Sequence, residues 1–329
     1  MLSRVERVSR EDYSTFQPKS ADNMKNEGIL VTGSFQAINF YNQSHIFFDL
    51  YMAVISGHAQ NVRNILLSHP DADFNILVKG ATVLSLSLYK RHFDIFNLLM
   101  RHSERRGKTC LNTVSKDELN RREPPLITAC RMHFTEGVIS LVNAGADIDA
   151  QDNFGHTALW VAARQQMPDL VEYLIVNGAS VNITDRYNYT PLITAMMYKV
   201  TSHITKALVL NGSNLDGPRV VSSYQNSPLF WASKYKDFEM MRLILLAGVP
   251  MWLIRCVKHS LHDATGRNAA AIGYLDDFTR NAPSLKQICR RILRTAVSES
   301  CKGKYFGQNI ETLPLPQILK CYLLLKVEN

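Results

Sequence analysis

The chain has 329 residues, 46% of them apolar, and carries 37 Lys and Arg against 29 Asp and Glu, a net charge of +8. This length holds two or three compact domains or one elongated array, and the apolar content excludes disorder for most of it. The six cysteines (Cys110, Cys130, Cys256, Cys289, Cys301, Cys321) include no close pair, which argues against a disulfide framework and against a C-x-x-C zinc cluster. They read as reduced thiols. The basic residues are spread along the chain and form no nucleic-acid-binding motif.

Residues 1–44 read as a polar extension. Its opening, MLSRVERVSREDYSTFQ, lacks the apolar core of a secretory signal, and no later stretch is long enough to span a bilayer, so an intracellular, cytoplasmic protein is expected. Two apolar patterns follow, DLYMAVISGHAQNVRNILLSHPDADFN from Asp49 and TVLSLSLYKRHFDIFNLLMRH from Thr82. The spacing from Leu84 to Leu126 then stretches to 42 positions, and the excess falls in the charged SERRGKTCLNTVSKDELNRRE. The expectation there is a long exposed loop near 103–123. Leu126, Leu159 and Leu192 mark three units in phase, 33 positions apart, and Ser227 opens another unit 37 positions after Thr190.

Each unit reads as two short antiparallel helices and a turn. Thr157 and Thr190 suit N-caps, and Pro191 suits the first helical position, where a missing N–H costs nothing. Ala162 and Ala163 let helices approach closely. Val171, Leu174 and Ile175, like Val138, Leu141 and Val142, space a second helix, which Gly145, Gly178 or Gly212 then ends. The period and the T-P-L-x-x-A start resemble the ankyrin repeat. About six units over 45–256 would stack into a solenoid with a concave binding face, and 257–280, containing GRNAAAIGYLDDF, reads as a cap or linker.

No glycine-rich phosphate loop, G-x-S-x-G elbow or H-E-x-x-H pair is present, so no catalytic residue and no cofactor is expected. His259 and His262 share a helix face but lack a third ligand, so no metal is expected. His156, in GHTAL, reads as a structural or target contact. Aromatic residues at the variable turn positions, Phe154, Tyr187, Tyr189 and Tyr224, with Trp231 on a first helix, are candidates for holding a target protein. The alternative is packing between neighbouring turns, and for Trp231 the two stand equal.

The C-terminal stretch begins with Ser284 as a helix cap after Pro283. Leu285, Ile288, Cys289, Ile292 and Ala296 fall on one helical face, with Lys286, Arg290, Arg291 and Arg294 over much of the remainder. Three readings are open for this helix: an apolar stripe packed on the last repeat, a basic amphipathic target for calmodulin or membrane, or half of a partner interface. The alternating Leu313-Pro314-Leu315-Pro316 forms a rigid extended corner. After it, Ile318, Leu319, Tyr322 and Leu323 suit a last helix packing back on the first. Leu285-x-x-x-Cys289-x-x-x-Leu293 resembles an Elongin C binding box, and Leu313 to Pro316, followed by Leu319 and Tyr322, resembles a cullin box of the Cullin-5 type. In this order, behind the repeats, the two resemble the ankyrin repeat and SOCS box family. The stretch 295–312 is more polar and slightly longer than that pattern.

The resemblance implies an all-α fold, an ankyrin-repeat solenoid followed by a three-helix SOCS box at 281–329, in a non-enzymatic ubiquitin-ligase adaptor. Leu285, Ile288, Cys289, Ile292 and Leu293 would bind Elongin B/C. Leu313, Pro314, Leu315 and Pro316 would bind Cullin-5 with its RING-box protein, and the repeats would bind an unidentified target. One rival is a plain ankyrin scaffold whose last helices only cap the solenoid. The other is a nucleic-acid or anionic-membrane binder using Arg290, Arg291, Arg294, Lys302 and Lys304.

Overall fold

The computed structural model describes residues 36–70, 80–106, 111–115, 122–199, 201–216, 226–262, 266–280 and 285–326. Most of the polar extension and the turn residue Tyr224 lie outside them, and so does the Leu285 side chain. Of the compact unit Met1–Ile46 the described part is helical, and residues 47–329 form the other compact unit.

Helices alternate in pairs: α1 (Gln36–Ile55) with α2 (Ala59–Ser68), α3 (Val83–Tyr89) with α4 (Phe93–Arg106), and α5 (Pro125–Arg131) with α6 (Thr135–Asn143). They continue as α7 (Ala158–Arg164) with α8 (Pro168–Val176), α9 (Pro191–Met197) with α10 (Ser202–Leu210), and α11 (Pro228–Tyr235) with α12 (Phe238–Ala247). A further pair, α13 (Met251–Leu261) and α14 (Ala269–Arg280), packs on α11. α13 therefore runs through Cys256, where the sequence places the end of the array. Three helices close the chain: α15 (Leu285–Ser300), α16 (Phe306–Thr312) and α17 (Gln317–Leu323). No strand occurs among the described residues.

Two layers result. The first helices α3, α5, α7, α9 and α11 pack in succession, and behind them the second helices α2 on α4 on α6 and α8 on α10 on α12. The sequence caps four of the first helices, α3, α7, α9 and α11, in the same way, while α5 follows Pro124 and has no side-chain cap. Thr82, Thr157, Thr190 and Ser227 accept a hydrogen bond from the backbone N–H three residues on, satisfying one of the helix's free donors. Leu126, Leu159, Leu192 and Leu229 are buried in the stack, and Ala129, Ala162, Ala195 and Ala232 beside them allow the layers to approach. Each first helix ends in a left-handed residue before the second begins. Gly57 holds that position in the first pair, but Arg91, His133, Gln166, Lys199 and Lys236, with φ of 52° to 61°, hold it in the next five.

In the described parts of the charged insertion, three residues depart from the exposed loop expected there. Leu111, Ser115 and Glu123 are buried. Ser115 and Glu123 pair through two backbone hydrogen bonds of 2.9 and 2.8 Å, Ser115 Oγ accepts from Thr82 N–H, and Asn112 Oδ1 accepts from Asp147 N–H. The described ends of the insertion thus act as turns between units, because their polar backbone finds partners in the stack.

Two candidate interaction surfaces

The first surface is on the C-terminal module, whose packing reverses the first of the three readings of α15, an apolar stripe packed on the last repeat. The apolar stripe faces solvent: Ile288, Cys289, Ile292 and Leu293 are exposed, Ile292 by 55%. The basic face is the one that packs. Arg290 and Arg294 are buried because the ends of second helices supply acceptors for them. Arg290 Nη1 donates to the Leu246 carbonyl at the end of α12, at 3.1 Å. Arg294 Nη2 donates to the Val209 carbonyl at the end of α10, at 2.9 Å, and its Nη1 to the Leu323 carbonyl of α17. Such carbonyls are a helix's unsatisfied, negatively polarised end, so cations are stabilised there. The guanidinium of Arg290 also lies 3.3 Å from the centre of the Tyr322 ring, and that of Arg294 lies 4.8 Å from Phe306. Burial, with the nearby Arg290 charge, lowers the Arg294 pKa to about 10, still cationic at neutral pH. The two buried arginines are therefore anchors of the module, which removes them from the set of free cations that the nucleic-acid rival needs.

The polar stretch between the two boxes also has a role in this packing. Ser298 Oγ donates to the Gly212 carbonyl at 2.7 Å, Ser180 Oγ donates to the Lys302 carbonyl, Lys304 pairs with Asp149, and Tyr305 OH donates to the Asn177 carbonyl. Phe306 sits against Gly212, where any Cβ would come within 2.4 Å of its ring, and Tyr305 sits against Gly178 in the same way, at 2.2 Å. Glycines that end second helices with positive φ thus double as sockets for the strap 298–306. Within the module Phe306, Ile310, Leu323 and Leu324 form a small core onto which Leu313 and Leu315 pack. Pro314 and Pro316 are exposed, as are Ile318 and Leu319 beyond them. The Leu-Pro corner therefore divides, leucines inward and prolines outward.

The second surface is on the first-helix layer. At the turn before α7, Asp152 Oδ1 accepts from the N–H groups of Phe154 and His156, both at 2.8 Å. At the next turn Asp185 Oδ1 accepts from Tyr187 and Tyr189 in the same way. Each buried aspartate ties a tight turn and pushes its aromatic residue outward. Phe154 and Tyr187 are exposed, Tyr187 by 73%, and Tyr189 is half-buried, its hydroxyl accepting from Asn226 Nδ2 at 3.3 Å. The two turns touch: Arg186 N–H donates to the Phe154 carbonyl.

Aromatic and cationic groups continue from the turn along the helix. The His156 ring stacks 3.8 Å from Trp160, and the Arg164 guanidinium lies 5.5 Å from the Trp160 ring and 4.8 Å from Tyr198 of the following unit. Lys199 then stands 5.7 Å from the Tyr235 ring, and Lys234 stands 4.6 Å from half-buried Trp231. Sequence reasoning singled out the turn aromatics and Trp231 but missed Arg164, Tyr198, Lys199, Lys234 and Tyr235. The sequence shows only that Arg164 and Lys234, and Tyr198 and Tyr235, hold equivalent repeat positions, not that they line up as one row.

Beneath this row lies a buried charge cluster. Arg131 pairs with Glu123, and with Asp152 Oδ2 at 2.9 Å, and His156 Nδ1 stands 2.8 Å from the same oxygen. Burial alone would raise the Asp152 pKa, but hydrogen bonding to His156 and the Arg131 charge outweigh it and leave the carboxyl below its ordinary value. Asp152→Ala removes one of the two carboxylates paired with Arg131 and strands two backbone donors. It is expected to cost about 3 kcal/mol in chemical denaturation. Because the folded pKa is depressed, this contribution is present above the unfolded carboxylate value of about 3.9 and fades as pH falls through the folded value. The wild-type advantage over the variant should therefore shrink below about pH 4.

Among the described residues no group of His, Cys, Asp and Glu could hold a metal ion, and no helix is long and apolar enough to cross a membrane. Comparison with known families gives two matches. A model described as ankyrin repeats, in three copies, matches residues 50–152, 110–185 and 159–252, and one described as SOCS box matches 281–324. The chain is 29% identical over 134 residues to an intracellular phospholipase A2 of Caenorhabditis elegans, covering 38% of this chain and 12% of that protein. It is 28% identical over 152 residues to the B-cell lymphoma 3 protein homolog of Mus musculus, covering 45% and 34%, and 37% identical over 78 residues to serine/threonine-protein kinase 12 of Arabidopsis thaliana, covering 24% and 17%. The chain spans at most 34% of the length of these three relatives.

Proposed function

Because this chain belongs to the ankyrin repeat and SOCS box family, we propose that it is the substrate-recognition adaptor of an Elongin B/C and Cullin-5 ubiquitin ligase. Ankyrin repeats mediate protein binding, and a SOCS box implies an Elongin and cullin adaptor role. In this reading the first-helix layer holds a target protein, Elongin B/C docks on α15, Cullin-5 with its RING-box protein docks beside the Leu-Pro corner, and the assembled ligase ubiquitinates the target. The chain itself does no bond chemistry.

The observation that carries this reading is the inverted packing of α15. An apolar stripe on a helix otherwise held in place by its charged face is surface that a partner is needed to cover. The plain-scaffold rival requires the reverse, with the stripe satisfied against the repeats. Cullin capture tests the second step. Pro314→Ala with Pro316→Ala should weaken Cullin-5 binding about tenfold through loss of rigidity and contact and leave Elongin B/C bound. Leu313→Ala with Leu315→Ala should instead lower thermal stability, since those side chains pack on Phe306 and Leu323. Undiminished Cullin-5 capture by the proline variant would remove the corner from the interface.

A further inference from the structure

The turns that join first to second helices form a ridge whose chemistry narrows the kind of target the repeats can hold. Left-handed backbone costs a non-glycine residue about 1–2 kcal/mol, and glycine or asparagine relieves that cost. Five of these turns instead carry long or basic side chains there: Arg91, His133, Gln166, Lys199 and Lys236. All five are exposed. Neighbouring positions of the same turns add Lys90, Arg164 and Lys234, with exposed Tyr198 and Tyr235 between them. The three-residue sets 89–91, 131–133, 164–166, 197–199 and 234–236 contain no acidic residue.

Carboxylates do stand nearby. Asp94, Glu136, Asp169 and Glu239 occupy the first turns of the second helices, where they offset the positive helix end, and Glu239 pairs with Lys206. They flank the ridge at intervals, so its positive potential is punctuated and suits separate negative charges better than a continuous phosphate backbone. Rings set beside Arg164, Lys199 and Lys234 give those charges apolar company. Stacked helices lie about 8–10 Å apart, and an extended chain advances about 3.3 Å per residue, so successive cations match every third residue of an extended peptide.

We propose that the ridge from Lys90 to Lys236 binds an extended acidic segment of the target protein, with Asp or Glu about three residues apart and apolar or aromatic residues between. This rests on the reading of the repeats as the target-binding part of the adaptor. The test selects from a displayed library of random 12-residue peptides on the full chain at physiological salt. The enriched peptides should be acidic with the three-residue spacing. Their affinity should fall about tenfold or more in the variant Arg164→Gln/Lys199→Gln/Lys234→Gln, whose helical circular dichroism and Elongin B/C capture should be unchanged. Enrichment without net acidity, affinity unaffected by the triple variant, or complete displacement of bound peptide by an equimolar 20-nucleotide single-stranded DNA would overturn the proposal. Elongin B/C capture by the wild-type chain in the same preparation reports separately on the adaptor reading, so the two can fail independently.

Discussion

Cys289→Asp with Ile292→Asp is expected to abolish Elongin B/C binding while leaving the fold intact. Both side chains are on the exposed stripe of α15, so neither substitution empties a core or strands a buried partner. In the complex the same positions would be central and desolvated. Truncating an anchor there costs roughly 2 kcal/mol or more, and burying two unpaired carboxylates costs several kcal/mol on top. A fall in affinity of at least about a hundredfold by titration calorimetry, with a melting temperature near that of the wild type, is the expected pair of results. A melting temperature that falls sharply while binding persists would mean that the stripe packs within the protein.

Arg294→Ala should have the opposite signature. Its guanidinium serves the ends of α10 and α17 at once and covers Phe306. Hydrogen bonds to a charged group contribute about 1.5–3 kcal/mol each, and the abandoned carbonyls bear a desolvation cost. The variant should lose about 3 kcal/mol in the docking of the module. Hydrogen exchange should then rise across 298–306 and α16 while the repeats stay protected, since a repeat array tolerates local opening. Unchanged protection of that segment would show that the strap alone holds the module.

These two expectations mark where the sequence was informative and where it was not. The in-phase leucines Leu126, Leu159 and Leu192, with Thr157 and Thr190 as caps, declare the repeat because period and capping act over a few residues. The Elongin-type stripe was equally visible as a helical periodicity. Which face of α15 turns inward was not, because an amphipathic pattern alone suggests that arginines face water. The acceptors for Arg290 and Arg294 lie 44 and 85 residues away, at helix ends that only the stacked fold presents. The strap is illegible for the same reason: Ser298, Lys302 and Tyr305 look like loop polarity until Gly212, Ser180 and Asn177 are beside them. On the repeats, Phe154 and Tyr187 could be placed from turn position. The cation row from Arg164 to Lys234 could not, since each residue looks like an ordinary solvated charge until neighbouring units are stacked.

The adaptor reading is tested most directly by mixing the wild-type chain with purified Elongin B/C and measuring the mass of the eluting species by size-exclusion chromatography with light scattering. One stable species containing each of the three chains once is expected, formed at about micromolar concentration or below. Separate elution of the chain and of Elongin B/C under those conditions would contradict it.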